Sequence, residues 1–145
     1  MKRNSVVVSM ALLAAVILSA CGGGGGGGAA GAAQAWFQAF SQLDVAKIKD
    51  LTCEAQKAAI EDALSVLGGG GAADMEAIRQ LFKIDVSGLK YEEKSVSGNQ
   101  ATVRISGKLK LEAFGQSQEQ DLDEEVPIVN EGGAWKVCAS NLPGN

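Results

Sequence analysis

The sequence predicts an α+β domain in which N-terminal helices pack against a curved antiparallel sheet of about four strands. Two observations lead to this fold class. Between Trp36 and Phe82 the apolar residues recur with the period of an α-helix, whereas beyond Ile84 they alternate with polar residues, as on a half-buried strand. Because the helices all precede the strands, we expect them to cover one apolar face of the sheet.

The first two predicted helices follow closely on each other. Asp44 is a typical N-cap for the second, which spans Val45–Leu51 and turns Ile48 inward. The first helix has one apolar face, formed by Trp36, Phe37, Phe40 and Leu43.

A third helix is predicted from about Cys53 to Leu67, where Gly68–Gly71 ends it, and a fourth follows the predicted cap Asp74. Apolar spacing predicts which residues these two helices bury. They are Ala59, Ile60, Ala63, Leu64 and Leu67 in the third, and Met75, Ile78, Leu81 and Phe82 in the fourth.

Four strands are predicted to form an antiparallel meander. Turn residues at 97–99, 114–115 and 132–133 separate them, and Gly107 interrupts the alternation of the second strand, which indicates a bulge or bend. The predicted strands are Leu89–Ser97, Ala101–Ala113, Gln116–Asn130 and Ala134–Ser140.

The first twenty residues have the layout of an export signal peptide. Lys2 and Arg3 precede an apolar segment that is too short to span a bilayer. The tetrad Leu18-Ser19-Ala20-Cys21 resembles the lipobox of bacterial lipoproteins. The resemblance implies that the signal (1–20) is cleaved before Cys21, that the Cys21 sulfur is lipidated with diacylglycerol and that the new N-terminus is acylated, for example with palmitate.

Residues 21–33 are interpreted as the lipidated cysteine and a glycine-rich tether to a domain at 34–142. Seven consecutive glycines, Gly22–Gly28, follow Cys21, and they favour a flexible coil because glycine loses the most entropy on being ordered. A phosphate-binding loop is not indicated, since no Gly-Lys-Ser/Thr sequence follows.

Composition limits the partners. The chain has 13 basic and 17 acidic residues, and removal of residues 1–20 takes two basic residues, which leaves a net charge of −6. That charge argues against nucleic acid as a partner.

With Cys21 lipidated, Cys53 and Cys138 are the remaining pair in an oxidising compartment, where a disulfide is expected; two buried free thiols are the alternative. No metal site is expected, because two distant thiols in a chain with no histidine cannot complete one.

The order of helices and strands also resembles the nuclear transport factor 2-like superfamily, in particular its small bacterial lipoproteins, over residues 34–140. The residues that carry the resemblance are Leu43-Asp44-Val45-Ala46-Lys47 and Gly133-Ala134-Trp135-Lys136-Val137. It implies a cone-shaped fold with a pocket that opens inward. Some members of the superfamily are enzymes, and many only bind other molecules or act as scaffolds. The resemblance also implies that a cysteine near the start of the third helix faces one on the last strand, as Cys53 and Cys138 would.

Little in the sequence indicates catalysis. Without histidine, no Ser-His or Cys-His arrangement can form, and the carboxylates Asp44, Asp50 and Asp85 are interpreted as caps or solvated groups. The acidic run Glu119–Glu125 is interpreted as a solvated outer face that limits edge-to-edge pairing, rather than as a calcium loop. Five aromatic residues are candidates to line a pocket, although core packing is the simpler interpretation: Trp36, Phe37, Phe40, Phe82 and Tyr91.

We therefore predict a lipid-anchored cell-envelope domain outside the cytoplasm, on the cell membrane or the outer membrane, that acts by binding or scaffolding, without a cofactor. Its partner would be a protein or a small apolar ligand. Two alternatives remain at this stage. One is an isomerase or hydro-lyase that uses a carboxylate in the cone, and the other is a structural component of the envelope.

Overall fold

A computed structural model describes residues 27–67 and 72–139. The predicted signal peptide, Cys21 and residues 22–26 of the predicted tether lie outside the described residues. The elements confirm an α+β fold with the helices first: α1 (Ala29–Ser41), α2 (Val45–Leu51), α3 (Glu54–Leu67), α4 (Ala72–Leu81), β1 (Phe82–Ser97), β2 (Gln100–Ala113), β3 (Gln116–Glu131) and β4 (Ala134–Val137). No helix among the described residues is long and apolar enough to cross a membrane.

Helix α1 begins at Ala29, inside the segment interpreted as a tether. Ala29 and Ala33 lie one turn apart and are fully buried, in line with Trp36 and Phe37. Alanine allows the helix backbone to approach the core closely, yet a run of alanine and glycine carries almost no hydrophobic periodicity. The sequence pattern therefore placed the start of this helix too late.

Helix α2 has the predicted bounds and cap. The Asp44 side chain accepts a hydrogen bond from the backbone N–H of Lys47 at 3.1 Å, which satisfies one of the free donors of the first turn. Ile48 points into the core and is 1% exposed. Thr52 follows the helix and is also buried.

Three features of the predicted α3 and α4 were wrong, among them the burial of Leu81, which is 49% exposed. In α3, Ile60 is buried, but Ala59 and Ala63 are exposed, because the helix is covered along a narrower face than its alanines suggested. Helix α4 begins at Ala72, so Asp74 lies within it and is not its N-cap. The side chains of residues 64, 67, 74 and 75 lie outside the described part of the chain.

The sheet is an antiparallel meander in the order β1-β2-β3-β4, and it is curled. Strand β1 begins at Phe82, well before the predicted Leu89, because its pairing with β2 continues to Phe82 opposite Ala113. Phe82 is thus a strand residue rather than the end of a helix. Backbone pairing with residues of β2 that are distant in sequence extends β1 into a segment where the local hydrophobic pattern did not indicate a strand.

Gly107 marks a bend in β2, as predicted. Its φ is +130°, and a Cβ built there would press against the carbonyl oxygen of Gly88 on β1. Beside this crossing, β1 carries a β-bulge, in which Val86 and Ser87 lie between the paired residues Asp85 and Gly88. Two diagonally neighbouring glycines and a bulge let the strands approach and the sheet curl.

The core lies between the helices and the inner face of the sheet. Its largest fully buried side chains are Trp36, Ile48, Ile105, Ile128, Val103 and the half-cystine Cys53. Helix α1 lies across this face and contacts all four strands, so it is the central element of the helical layer.

Candidate functional site

Three of the five aromatic residues proposed for a pocket lie on α1 and pack into the core. Trp36 stacks on Phe40 with ring centroids 5.6 Å apart and planes 6° apart, and it meets Phe37 edge-on at 5.2 Å. Trp36 and Phe37 are buried and Phe40 is half-buried. These three residues fix α1 on the sheet.

Phe82 lies in a different place. It packs edge-on against Phe114 at 5.4 Å, and Phe114, in the turn between β2 and β3, is 74% exposed. Tyr91 packs against Phe37 at 6.0 Å and therefore joins the core cluster. The structure thus divides the predicted pocket residues between two clusters instead of gathering them round one cavity.

A groove with a volume of about 420 Å³ runs between α1 and β1; we call it the α1–β1 groove. Gln34, Gln38 and Ser41 form its helical wall, because residues spaced four and three apart lie on one side of a helix. Its strand wall consists of Ile84, Asp85, Val86, Ser87, Leu89 and Tyr91.

A second groove of about 580 Å³ continues along β1 towards α4 and shares Ser41 and Ile84 with the first. Arg79 on its wall donates a hydrogen bond to the backbone oxygen of Leu43 at 3.1 Å, which ties α4 to the turn between α1 and α2. Its remaining lining residues are Gln42, Asp44, Phe82 and Lys83.

The Tyr91 hydroxyl is the most unusual group in the wall of the α1–β1 groove. Its oxygen is buried and has no hydrogen-bond partner among the described residues. Burial raises the pKa of Tyr91 to about 12. The phenol therefore stays neutral at physiological pH, and its O–H donor is unused among the described residues.

The candidate carboxylates are engaged in local structure. Asp85 accepts a hydrogen bond from the backbone N–H of Ser87 at 2.8 Å, and its hydrogen bonds with Ser87 lower the pKa of its carboxyl group. Asp44 caps α2, and exposed Asp50 lies 3.6 Å from the ammonium of Lys136. A general base needs a raised pKa, and Asp85 has the opposite shift.

Alternate residues of the acidic run of β3 lie on the exposed outer face of the sheet, where Glu119, Asp121 and Asp123 pair with cations of β2. Arg104 makes two hydrogen bonds of 2.7 Å to the two carboxylate oxygens of Asp123. Further ion pairs join Lys108 to Glu119 and Asp121, and Lys110 to Glu119, at 3.2–3.4 Å. Across the described residues, no three potential ligands gather into a metal site.

Cys53 and Cys138 form a disulfide, with Cα atoms 5.3 Å apart. The backbone on both sides is also paired: Cys53 N–H donates to Val137 at 2.9 Å, and Cys138 N–H donates to Pro127 at 2.8 Å. The bond therefore fixes the start of α3 to the end of β4.

Comparison with known proteins adds no family, since no protein-family model, curated protein or solved structure matches this chain.

Sequence reasoning missed the polar wall of the α1–β1 groove. Gln34, Gln38 and Ser41 do carry a signal, because they recur at helical spacing beside the aromatic face of α1. What the sequence could not show is that β1 begins early enough to face them.

Proposed function

We propose that this protein is a lipid-anchored, non-catalytic binding domain outside the cytoplasm, and that the α1–β1 groove is its binding site. In this proposal Cys21 carries the lipid, residues 1–20 are removed on export, and the glycines that follow link the anchor to α1. The lipobox resemblance supports the anchor. The disulfide between Cys53 and Cys138 supports export, because such bonds persist in oxidising compartments.

The observation that carries the binding proposal is the unpartnered hydroxyl of Tyr91. A buried polar group without a hydrogen bond costs free energy, about 1–3 kcal/mol. A ligand that enters the groove, displaces the atoms covering this oxygen and accepts its hydrogen bond recovers that free energy. Ile84, Val86 and Leu89 offer apolar contact beside it. The groove therefore suits a small apolar molecule that carries a neutral carbonyl or hydroxyl group.

Charge sets the second property of the ligand. Asp85 lines the same groove, and its lowered pKa keeps it ionised at neutral pH. An anion placed there would be repelled, so a neutral ligand is preferred over a carboxylate of the same shape. The same ionisation of Asp85, together with the capping role of Asp44, favours binding over acid–base catalysis.

We further infer membership of the nuclear transport factor 2-like superfamily, with the curled sheet and its helices as the cone. The helices-first order, the Asp44 cap and the last strand with Trp135 support this inference. An experimental structure compared with members of that superfamily tests it.

Lipidation can be tested by expression of the full chain in bacteria that are fed labelled palmitate. The wild-type chain should incorporate label, fractionate with membranes and begin at Cys21, whereas Cys21→Ala should stay unlabelled. A wild-type chain that retains residues 1–20 and carries no lipid would contradict the anchor.

Binding can be tested with two probes of equal chain length, 1-octanol and octanoate, on the exported Cys21→Ser chain, which has no lipid. Backbone amide signals of Gln34, Gln38 and Tyr91 should shift saturably with octanol and much less with octanoate. The matched variant Tyr91→Phe keeps the ring and removes only the hydroxyl, so it should weaken octanol binding about three- to tenfold. Equal binding by the variant, or equal shifts with both probes, would refute the proposed site.

A further inference from the structure

Strand β3 has a long edge that no described strand covers. It spans Gln116–Glu131, but β4 pairs only with its last part, from Ile128 to Glu131. Beyond that point Cys138 N–H bonds to Pro127, and Cys138 is joined by its disulfide to Cys53. The edge from Gln116 to Val126 is therefore open among the described residues; we call it the β3 edge.

The register shows which backbone groups point out of this edge. In an antiparallel strand, alternate residues direct their N–H and C=O groups to opposite neighbours. Pro127 directs its carbonyl to Cys138, away from β2, and the other odd-numbered residues share that direction. The outward backbone groups thus belong to Ser117, Glu119, Asp121, Asp123 and Glu125.

The β3 edge is regular, unlike the other edge of the sheet. Pairing of β2 with β3 runs without interruption from Gln100 opposite Val129 to Ala113 opposite Gln116. Strand β1, at the opposite edge, has irregularities after Asp85 and after Glu93. Bulges disturb the pairing of an added strand, so they protect β1, whereas β3 carries no bulge in its pairing with β2.

Charge specifies what can pair with the β3 edge. Among the residues with outward backbone groups, Glu119, Asp121, Asp123 and Glu125 are acidic. On the side of β2 these acidic residues meet the cations of that strand. On the opposite, open side of β3, no cation of the described residues lies next to them. Opposite charges on neighbouring strands are favourable and like charges are not. A second copy of β3 would place acidic residues against acidic residues, so pairing between two β3 edges is unfavourable. A strand with basic side chains is favoured instead.

We propose that the β3 edge binds an extended segment of another protein in which Lys or Arg alternates with uncharged residues, and that the segment adds to the sheet as a further strand. Backbone hydrogen bonds from the five outward residues give affinity, and basic side chains on the outer face give specificity. This site lies on β3 and does not depend on the α1–β1 groove.

The test uses the exported full chain in a non-ionic detergent and a labelled peptide of about nine residues in which lysine alternates with valine, enough to span 117–125. A control peptide has the same composition with its lysines grouped at one end. The alternating peptide should bind more tightly and should slow hydrogen exchange of the amides of Ser117, Glu119 and Asp123. Equal binding of both peptides would overturn the proposal, because it would show attraction of charge without strand pairing.

Two matched variants separate backbone pairing from charge. Asp121→Pro removes an outward N–H and leaves the bonds between β2 and β3 intact, whereas Asp121→Asn removes the same charge and keeps that N–H. We expect Asp121→Pro to bind the alternating peptide about tenfold more weakly than Asp121→Asn. Equal affinity of the two variants, with both folded by circular dichroism, would overturn strand addition.

Discussion

The indole N–H of Trp36 donates a hydrogen bond of 3.0 Å to the hydroxyl of Thr52 in the buried core. The Thr52 hydroxyl in turn donates to the backbone oxygen of Ile48 at 2.7 Å. This short chain of hydrogen bonds joins the central helix α1 to the end of α2. It also satisfies the only polar side-chain donor that the aromatic residues of α1 bring into the core.

Thr52→Val keeps the shape of this residue and leaves the Trp36 N–H without an acceptor. We expect the free energy of unfolding to fall by about 1–3 kcal/mol, measured by urea denaturation. Thr52→Ser keeps the hydroxyl and should cost less. A valine variant as stable as the wild type would show that the bond contributes nothing net.

Removal of the disulfide should destabilise the fold. The bond between Cys53 and Cys138 closes a loop with a sequence separation of 85. For such a loop, the entropy lost by the unfolded chain gives an upper limit of about 4–5 kcal/mol for the stabilisation. The double variant Cys53→Ala, Cys138→Ala should unfold at lower urea concentration by an amount within that limit. Reductant should lower the midpoint of the wild type and leave the double variant unchanged; a wild type insensitive to reductant would contradict a stabilising role.

Gly107→Ala should be among the most damaging small substitutions. The φ of +130° is nearly closed to residues with a Cβ, and the added methyl would meet Gly88 on the adjacent strand. We expect a loss of about 3 kcal/mol or more in thermal or urea unfolding.

Gly98→Ala is the matched control for Gly107. Gly98 also has a positive φ, +61°, but nothing lies within 4 Å of an added Cβ. It should cost only about 1 kcal/mol. Equal losses at the two glycines would show that the close crossing with Gly88 has no energetic effect.

The pair of Arg104 and Asp123 predicts a pH dependence. The hydrogen bonds from Arg104 hold the pKa of the Asp123 carboxyl below its ordinary value of 3.8. The stabilisation is therefore complete above that value and is lost as the pH falls through the lower pKa of the folded state.

Asp123→Asn gives the measurement for this pair. Wild type should be more stable than Asp123→Asn at neutral pH, and the difference should shrink towards zero in strong acid. Both groups are exposed, so high salt should also shrink it. A difference that is the same at every pH would contradict the ionic origin.

Much of the local structure was predictable because it depends on neighbours along the chain. Asp44 caps α2 through a backbone N–H three residues later, and Phe114-Gly115 turns β2 into β3 with both φ angles positive. Such features act over a few residues. The early start of β1 at Phe82 was not predictable, because it depends on pairing with Ala113, a residue distant in sequence.

The predicted pocket shows the same division. The sequence correctly identified Trp36 and Phe37 as inward-facing, since the helical period assigns a face to each. It could not tell that Phe82 packs with Phe114 instead, because that choice depends on where two strands meet.

By itself, the sequence determined the order of helices and strands, the capped and turned ends of several elements, and the one cysteine pair available in the described fold. Only the tertiary structure decided that the aromatic residues of α1 fill the core and that the Tyr91 hydroxyl lacks a hydrogen-bond partner among the described residues. It also decided that β3 extends well beyond the part that pairs with β4. The physical reason is the range of the interactions. Periodicity and capping act between neighbours in the chain, whereas burial, satisfied hydrogen bonds and open edges depend on residues brought together from far apart.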